Sequence, residues 1–487
     1  MPAYLQEHLW TFLLLVNYLL VIALSVILVL RNNNPAKTLG YLFALATLPF
    51  VGLLVYYFFG MDHRKNKIFS KKYISDNTKL RAWRAEFGMD PEQRADFAEQ
   101  FGLGFFKVYR LLENNQQSIL TYENQVDILL NGEEKFPRLQ EDLLRARSHI
   151  HMEYFVLMDD EVGNPILDIL CRKAADGVAV RLIYDDVGSK LSSATKRRLT
   201  DSGVEHHPFM PVLFTRFSSK FNYRDHRKII VIDGNVGYVG GINIRKKYDN
   251  RQDNARYWRD THLRIEGPAA GSLQASFLLS WDFVSDQITS IKRELFPEDK
   301  PETRDPVAVQ IAASGPDTDW ANIMEALFTA INNAREYVYI TTPYMIPSSP
   351  ILTALTTAAR SGVDVRIIIP YESDSWPAQY ATDSYIEELL LSGVRIFRYT
   401  KGFVHAKTLV IDDLFSSIGT ANLDYRSFSI NFEINACLYS ANKSKAMKAI
   451  FMDDLKECDE VELERWQERG IGRKLQESVN HLWAPLL

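Results

Sequence analysis

The sequence predicts an α/β fold in which two duplicated βαβ lobes form a pseudo-dimer behind an N-terminal transmembrane hairpin. Two observations predict it. Two apolar stretches without charged residues lie near the N-terminus, and short β-branched runs alternate with helical patterns in a series that occurs twice. With 46% hydrophobic and 24% charged residues among 487, the chain has the composition of a folded protein.

The two apolar stretches have the length of membrane spans. A helix as long as Leu9–Leu30 or Leu39–Gly60 exceeds the hydrocarbon thickness of about 30 Å. We expect a transmembrane hairpin over residues 1–72, with spans at about 9–30 and 39–60. A cleaved signal peptide is the competing interpretation, but Glu7 stands where a basic region is expected and the first apolar run is too long.

The charges beside the two stretches predict their orientation. The linker between them carries two cationic residues, Arg31 and Lys37, whereas residues 61–72 carry five. Because cationic loops stay on the cytoplasmic side, we expect both termini in the cytoplasm. Residues 73–487 would then face the cytoplasm from a multi-pass anchor in the inner membrane.

Composition narrows the class of partner. The chain has 56 Lys and Arg against 61 Asp and Glu, a net charge of −5, so it lacks the basic excess of most nucleic-acid-binding domains. Its three cysteines, Cys171, Cys437 and Cys458, are odd in number and have no CxxC spacing, which disfavours a disulfide framework and a zinc site. We expect a reducing compartment and no nucleic-acid partner.

An internal duplication follows a polar connector over residues 73–120. Ala146-Arg147 precedes one apolar run, and Ala334-Arg335 precedes its counterpart. A Gly-Val pair farther along each copy recurs at nearly the same offset, and differences in loop length explain the drift. We therefore expect a first lobe over 121–300 and a second over 301–487, with one composite site on the pseudo-twofold axis. Two independent α/β domains, each with its own pocket, are the alternative.

The most similar part of the repeat carries the candidate chemistry. Two copies of the motif HxKxxxxD occur, and in both the Lys lies at +2, the Asp at +7 and an Asn at +17, after a turn that contains Gly. A single His and Lys on a strand is commonly an exposed pair, but two copies with identical spacing favour function. The candidate residues are His226, Lys228, Asp233, Asn243, His405, Lys407, Asp412 and Asn422.

Strand alternation assigns the motif residues to two faces. Positions +0 and +2 point the same way, so each His and Lys face outward together, whereas the Asp at +7 has the opposite parity. We assign Asp233 and Asp412 supporting roles, paired with backbone or with a cation behind the strand.

Two His, two Lys and two Asn around one point suit phosphodiester chemistry, for which we expect neither a metal nor another cofactor. A neutral imidazole attacks phosphorus, the other, protonated imidazole gives its proton to the leaving alcohol, and Lys and Asn stabilise the phosphate oxygens.

Two acidic residues are candidates for orienting the histidines. Asp260 follows His226 along the chain, and Glu433 follows His405 at a similar but shorter distance. An acid that accepts a hydrogen bond from a histidine fixes its tautomer, as in a catalytic triad. Chain order matches each acid with the histidine of its own copy, although the two distances are unequal.

Other segments allow two interpretations. The apolar and aromatic stretch 208–221 either enters an anionic leaflet or packs between the lobes. The C-terminal segment 462–487 is more typical of a packing helix than of a membrane-surface helix. The histidines outside the motifs have no repeat partner and are interpreted as structural or surface residues, because His149 and His151 lack a third metal ligand at suitable spacing.

The paired motifs resemble those of the phospholipase D superfamily, and the chain as a whole resembles the bacterial cardiolipin synthases of that superfamily. The similarity includes both apolar stretches and the segments Asn222–Lys228, Trp258–His262, Gly402–Lys407 and Leu482–Leu487. It implies that two phosphatidylglycerol molecules become cardiolipin and glycerol through a phosphatidyl-histidine. It also implies that His226 is the nucleophile and His405 the general acid, a choice that the nearly equivalent copies leave open.

Four functions stay open at this point. They are a membrane-bound cardiolipin synthase, a phospholipase D that hydrolyses its substrate, a nuclease on the same fold, and a non-catalytic membrane scaffold. The net negative charge disfavours the nuclease, and the complete motifs disfavour the scaffold. The expected partners are phosphatidylglycerol, other anionic phospholipids and the bilayer.

Overall fold

The structure, a computed structural model, describes residues 3–30, 35–56, 89, 91–116, 118–210, 223–286, 295–296 and 302–484. The described residues divide into an N-terminal unit that ends at Tyr56 and a main unit that begins at Met89. The basic flank expected at 61–72 lies outside the described residues, as does the greater part of the stretch 208–221.

The N-terminal unit contains one long apolar helix and a shorter, interrupted one. Helix α1 (Ala3–Leu30) includes His8–Leu30, which is long and apolar enough to cross a membrane. The second stretch, expected as a single span over 39–60, instead forms α2 (Pro35–Thr47) and α3 (Val51–Val55). The interruption falls at a proline, Pro49, which has no N–H to donate to a preceding turn.

A polar side chain of α1 compensates for this interruption. The residue after the proline, Phe50, has a φ of 62°, and its N–H donates to Oδ1 of Asn17, 2.9 Å away. Asn17 is 1% exposed and lies within the apolar span of this helix, His8–Leu30. The amide therefore satisfies a backbone group that the broken helix leaves without a partner.

The main unit alternates strands and helices. Its helices are α4 (Pro91–Gln116), α5 (Asn131–Arg145), α6 (Gly163–Ala175), α7 (Ser193–Asp201), α8 (Pro268–Ser285), α9 (Asn322–Asn332), α10 (Ser349–Arg360), α11 (Trp376–Leu391), α12 (Tyr425–Ser429), α13 (Ala441–Leu455), α14 (Leu463–Gln467) and α15 (Ile471–His481). Its strands are β1 (Leu120–Leu130), β2 (His149–Tyr154), β3 (Ala179–Asp185), β4 (Glu205–Phe209), β5 (Lys228–Ile232), β6 (Val236–Gly240), β7 (Tyr257–Arg259), β8 (Thr261–Glu266), β9 (Val307–Ser314), β10 (Tyr337–Thr341), β11 (Asp364–Pro370), β12 (Arg395–Tyr399), β13 (Gly402–Val404), β14 (Thr408–Ile411), β15 (Phe415–Gly419), β16 (Glu433–Tyr439) and β17 (Cys458–Glu460).

Fifteen of these strands form one continuous sheet. Their order is β17-β12-β11-β10-β14-β15-β16-β9-β1-β8-β6-β5-β2-β3-β4. Read outward from the antiparallel pair β1 and β9, the two halves have the same sequence of strands, and β17 is an addition at one edge. The predicted duplication is thus confirmed, and the two lobes share a sheet instead of forming independent domains.

Each half of the sheet is mixed in direction. The predicted βαβ units are parallel, β2 with β3 and β4 in one lobe and β10 with β11 and β12 in the other. The strands that follow the two histidines, β5 and β14, run antiparallel to β2 and β10. Each motif strand is therefore central and flanked on both sides, which accounts for its continuous burial.

Helices cover both faces of the sheet. One face packs against α8 and α13, and the other packs against the crossover helices of the two lobes, including α5, α6, α9 and α10. Helix α4, within the predicted connector, packs on α9 and adds aromatic side chains to the core of the second lobe, among them Phe97, Phe105 and Tyr109. The last part of the connector is therefore an integral element of that core.

Helix α15 packs with one face only. Arg473 donates to Asp383 of α11 at 2.9 Å, and Nδ1 of His481 lies 2.9 Å from the Ser384 hydroxyl. Its apolar side chains point away from these contacts: Ile471 is 87% exposed and Leu475 is 65% exposed. One face of α15 thus packs on α11, and among the described residues nothing covers the apolar stripe on the other face.

Candidate active site

His226 lies two residues before the start of β5 and is held by the second lobe. Its backbone N–H donates to the carbonyl of Phe432 at 2.9 Å, and a parallel bridge joins Asp225 to Phe432. Its Nδ1 is 2.9 Å from both carboxylate oxygens of Glu433, the first residue of β16. A carboxylate accepts only, so Nδ1 carries the hydrogen and the Nε2 lone pair is left for chemistry.

His405 is held in the same way by the first lobe. Its backbone N–H donates to the carbonyl of Arg259 at 2.7 Å, next to the two-stranded parallel pairing of β13 with β7. Its Nδ1 is 2.7 Å from Oδ2 of Asp260. The first lobe's acid therefore fixes the tautomer of the second lobe's histidine.

The pairing expected within each copy is wrong. Asp260 does not orient His226, and Glu433 does not orient His405; each acid crosses to the other lobe. The cause is topological, because β7 and the residues before β16 leave their own halves of the sheet to pair with chain that lies beside the other histidine. The two histidines consequently belong to one composite site.

The two lysines occupy equivalent positions. Lys228 is 0% exposed and donates from Nζ to the carbonyl of His226 at 2.7 Å. Lys407 is 3% exposed and donates to the carbonyl of His405 at 2.6 Å. Each ammonium thus folds back over its own histidine, and each has further N–H donors for an anion.

The two asparagines follow the strands β6 and β15 and are likewise buried. Nδ2 of Asn243 donates to the Tyr248 hydroxyl at 2.7 Å, and Nδ2 of Asn422 donates to Asp424 at 2.9 Å. A side-chain amide has two N–H groups, so each asparagine retains a second donor. The glycine in the turn before Asn243 is required sterically, because a Cβ at Gly241 would overlap the carboxylate of Asp260.

The motif aspartates lie away from the histidines. Asp233 accepts from the backbone N–H groups of Arg147, Ser148 and His149, at 2.7 to 3.0 Å. Asp412 accepts from the equivalent N–H groups of residues 335, 336 and 337, at the same range of distances. Each carboxylate therefore fastens the hairpin after a motif strand to the start of the neighbouring strand, behind the site.

Burial and charge set the protonation of the histidines. Burial lowers the pKa of His226 to about 4, although the charge of Glu433 opposes the shift. Burial also lowers the pKa of His405 well below its usual range, with the positive charge of Lys407 acting in the same direction. Both imidazoles are neutral at neutral pH before a substrate arrives.

The lysines and acids are shifted by the same causes. Burial lowers the pKa of Lys228 to about 7 and that of Lys407 to about 8, and nearby carboxylates limit both shifts. Burial raises the pKa of Asp260 to about 6 against the opposing charge of Lys407. For Glu433, burial acts upward, but the charge of His226 and their hydrogen bond bring the pKa below its usual value.

Aromatic side chains that the motif did not reveal line the site. Phe155 lies edge-on to His226 with ring centroids 4.8 Å apart, and Tyr248 lies edge-on to His405 at 5.7 Å. Trp258 is 5.3 Å from His405. These rings pack against the imidazoles. Trp258 lies in a segment that the family resemblance includes and Phe155 in the apolar run after Ala146-Arg147, whereas Tyr248 lies in neither.

The histidine pair His149 and His151 belongs to the core. Nδ1 of His151 is 3.0 Å from Oε1 of Gln274, and its ring stacks on Phe277. Across the part of the chain that the structure describes, no group of three or more His, Cys, Asp or Glu side chains has the arrangement of a metal site.

Comparison with known proteins identifies the family. A family model described as "Cardiolipin synthase, PLD-like domain" matches residues 139–267 and 327–455, and one described as "Phospholipase_D-nuclease N-terminal" matches residues 19–60. Cardiolipin synthase 2 of Bacillus anthracis is 39% identical over 462 residues, which cover 95% of this chain and 89% of that protein. A cardiolipin synthase of Halalkalibacterium halodurans is 39% identical over 468 residues, or 96% and 92% of the two chains.

A solved structure supports the fold. The phosphatidylserine synthase of Haemophilus influenzae superposes with a TM-score of 0.58 at 16% identity, over 78% of this chain and 100% of that one. At this identity the similarity concerns the fold alone. The duplicated sheet, the paired motifs and the sequence identity over nearly the whole chain lead to one conclusion: the chain belongs to the cardiolipin synthases of the phospholipase D superfamily.

Proposed function

We propose that the composite site transfers a phosphatidyl group from one phosphatidylglycerol to the hydroxyl of another, which forms cardiolipin and releases glycerol. The observation that carries the proposal is the crossed pairing of His226 with Glu433 and of His405 with Asp260. Two oriented imidazoles in one site supply both a nucleophile and an acid, and each half of the site contributes one.

In the first half-reaction, Nε2 of His226 attacks phosphorus, a P–N bond forms, and the P–O bond to glycerol breaks. His405 gives its proton to the departing glycerol oxygen. A bound phosphate anion raises the pKa of this buried imidazole, and Asp260 stabilises the resulting imidazolium. The assignment of His226 as nucleophile rests on the resemblance to the superfamily and on the carboxylate that keeps its Nδ1 protonated.

The second half-reaction reverses these roles. The terminal hydroxyl of a second phosphatidylglycerol gives its proton to His405 and attacks phosphorus, and the P–N bond to His226 breaks. Lys228, Lys407, Asn243 and Asn422 stabilise the phosphate oxygens in both transition states. Asp233 and Asp412 act at a distance by holding the motif hairpins.

The acceptor distinguishes this proposal from its main alternative. A phosphatidyl-histidine can also react with water, and the protein would then be a phospholipase D that makes phosphatidic acid. Two features favour lipid transfer. The histidines have buried, aromatic surroundings, and the relatives that match this chain over nearly their whole length are cardiolipin synthases.

We also propose that the N-terminal unit anchors the enzyme in the inner membrane with the lobes in the cytoplasm. The apolar helix α1 supports membrane association, and the five cationic residues at 61–72 support the orientation. An anchor of this kind keeps the site beside the leaflet that holds donor and acceptor.

The test is the product ratio from labelled phosphatidylglycerol vesicles with the purified, reconstituted enzyme. Cardiolipin and glycerol should appear in equal amounts with little phosphatidic acid, and added glycerol should drive the reaction backward because the bonds exchanged are alike. Phosphatidic acid as the main product at saturating phosphatidylglycerol would make the protein a hydrolase.

A further inference from the structure

Lys135, in helix α5 of the first lobe, is a fully buried lysine outside the motifs, and burial lowers its pKa well below the usual range. Its side chain is 0% exposed, and its Nζ donates to the carbonyl of Ile242 at 2.6 Å and to the Tyr154 hydroxyl at 2.9 Å. The Nζ atom also lies 4.9 Å from the centroid of the Tyr154 ring. Both hydrogen bonds of this side chain are thus directed at the end of β2 and at the turn after β6.

The duplication shows that this lysine is a specific addition to one lobe. The register that pairs Ala146 with Ala334 places Ile323 at the position of Lys135, and Thr342 at the position of Tyr154. Ile323 is 1% exposed and belongs to the hydrophobic core. An apolar side chain therefore suffices for the fold at this position, whereas burial of a lysine amino group costs desolvation energy that packing alone does not offset.

The two lobes hold their phosphate-binding turns by different means. In the second lobe, the side chain of Asn435 accepts from the N–H groups of Thr420 and Ala421 at 3.2 Å, and the Ser427 hydroxyl accepts from the N–H of Asn422 at 3.2 Å. In the first lobe, His262 replaces Asn435 at the second position after the acid, and its Nδ1 accepts from Ile242 at a longer 3.4 Å.

Lys135 adds a side-chain hydrogen bond to the first lobe's turn, in which the N–H of Gly241 also donates to the carbonyl of Thr261 at 3.0 Å. Ile242, whose carbonyl it binds, immediately precedes Asn243. The same turn contains Gly241, which packs against the carboxylate of Asp260. Lys135 also lies close enough to Asp260 and Lys228 to interact with both electrostatically.

We propose that Lys135 is a positioning residue that fixes the turn carrying Asn243, and through it the amide that binds the transferring phosphate. This inference rests on the proposed role of Asn243. Because a group misplaced by about 1 Å can cost about a hundredfold in rate, a support at the preceding carbonyl is expected to affect catalysis more than folding.

The test compares Lys135→Met with Ile323→Met in the full-length, reconstituted enzyme. Both variants place the same unbranched side chain at equivalent buried positions, so Ile323→Met controls for repacking. We expect Lys135→Met to lower kcat for glycerol release by about tenfold to a hundredfold with KM within about threefold of wild type. Ile323→Met should retain wild-type kcat, and a kcat for Lys135→Met within about twofold of it would overturn the proposal.

A double-mutant cycle with Asn243→Ala separates positioning from a general structural role. If Lys135 acts through Asn243, the double variant should be no slower than Asn243→Ala alone, within about threefold. Multiplicative losses would show that Lys135 acts independently of the asparagine, and would overturn the proposal.

Two provisions keep the outcome decisive. If Lys135→Met does not fold, Tyr154→Phe takes its place, since it removes one hydrogen-bond partner of the Lys135 amino group and keeps the ring. Full activity of Tyr154→Phe would then overturn the proposal.

Glycerol is released by both phosphatidyl transfer and hydrolysis. A wild-type enzyme that makes phosphatidic acid would thus refute the proposed function while the cycle still tests Lys135.

Discussion

Nδ1 of His226 lies 2.9 Å from the carboxylate of Glu433, although the two residues are 207 positions apart and belong to different lobes. The reciprocal pair, His405 with Asp260, has a separation of 2.7 Å. Two side-chain hydrogen bonds thus join the lobes at the site, in addition to the backbone pairings of β7 with β13 and of Asp225 with Phe432.

Removal of the charge from either orienting acid should inactivate the enzyme. Glu433→Gln and Asp260→Asn keep the shape of the acid but favour the wrong tautomer of the partner histidine, so we expect kcat to fall by about 10³-fold or more. Phosphatidyl transfer from labelled phosphatidylglycerol measures the loss. Glu372→Gln, at an exposed ion pair with Arg256, is the matched control and should keep its activity. A loss below about tenfold in both acid variants would contradict the tautomer argument.

Both motif histidines should be indispensable, for different reasons. His226→Ala removes the proposed nucleophile, and His405→Ala removes the proposed acid, so each should reduce turnover nearly to background. His405→Ala should accumulate protein-bound phosphatidyl label from a labelled donor whose leaving group needs no proton, whereas His226→Ala should show none. The reaction is quenched with neutral detergent, because acid cleaves the P–N bond of a phosphatidyl-histidine. More than about a tenth of wild-type turnover in either variant, a barrier change of only ~1.4 kcal/mol, is incompatible with the two-histidine mechanism.

The pH dependence should have a basic limb caused by the lysines. The pKa of Lys228 is about 7 and that of Lys407 about 8, and each lysine must be protonated to attract the phosphate. We expect kcat/KM to fall as the pH rises through 7 to 8. His226 must be neutral to attack, and its pKa is about 4, but Asp260 must be ionised to orient His405, and its pKa is about 6. The acid limb should therefore lie near pH 6.

The basic limb of the kcat profile should lie at higher pH than the basic limb of the kcat/KM profile. A bound phosphate anion stabilises the charged lysines and so raises their pKa in the complex. Initial rates over a pH series at limiting and at saturating lipid give the two profiles. Coincident basic limbs would show that the lysines do not meet the phosphate.

Substitution of the motif aspartates should act on stability first. Asp233→Asn and Asp412→Asn weaken the acceptor for three backbone N–H groups each, at positions where the backbone has a φ of 53° that Asn tolerates. We expect each to lower the free energy of unfolding by about 1 to 3 kcal/mol, measured by denaturant titration in detergent. An unchanged unfolding midpoint with lost activity would place these carboxylates in contact with substrate.

The proposed orientation predicts protection of the lobes in intact cells. A protease added outside should leave residues 73–487 uncut, because five cationic residues hold the segment 61–72 inside. Permeabilised cells provide the control, since the lobes should then be cleaved. Cleavage of the lobes in sealed cells would reverse the orientation.

The motif residues and the duplication were predictable because the spacing between the corresponding residues is nearly the same in both copies. The equal distances from His226 to Asn243 and from His405 to Asn422 indicated the site's composition, and the offset between halves indicated the repeated lobe. The partner of each histidine was not predictable in this way. An offset along the chain does not say on which side of the pseudo-twofold axis a strand finishes, and β7 finishes on the far side, beside β13.

Two further features depend on context that periodicity does not contain. The apolar pattern over 39–60 does not distinguish Pro49 from other apolar residues. Because Pro49 has no N–H to donate, the helix is interrupted there. Lys135 occupies an ordinary helix position in the sequence, and its importance emerges only when Ile323 is set beside it.

Because of the crossed hydrogen bonds, the function of each half of the gene depends on the other half. A substitution of Glu433 is a mutation of the second lobe, yet its defect appears at the histidine of the first. A change of the orienting acid in either half therefore alters the chemistry of the other half. If recombination removed one half, the histidine of the remaining half would lack its orienting acid. If the two halves were expressed as separate polypeptides, activity would require their reassociation, and two defective chains with lesions in opposite lobes could restore one another only by exchanging whole lobes.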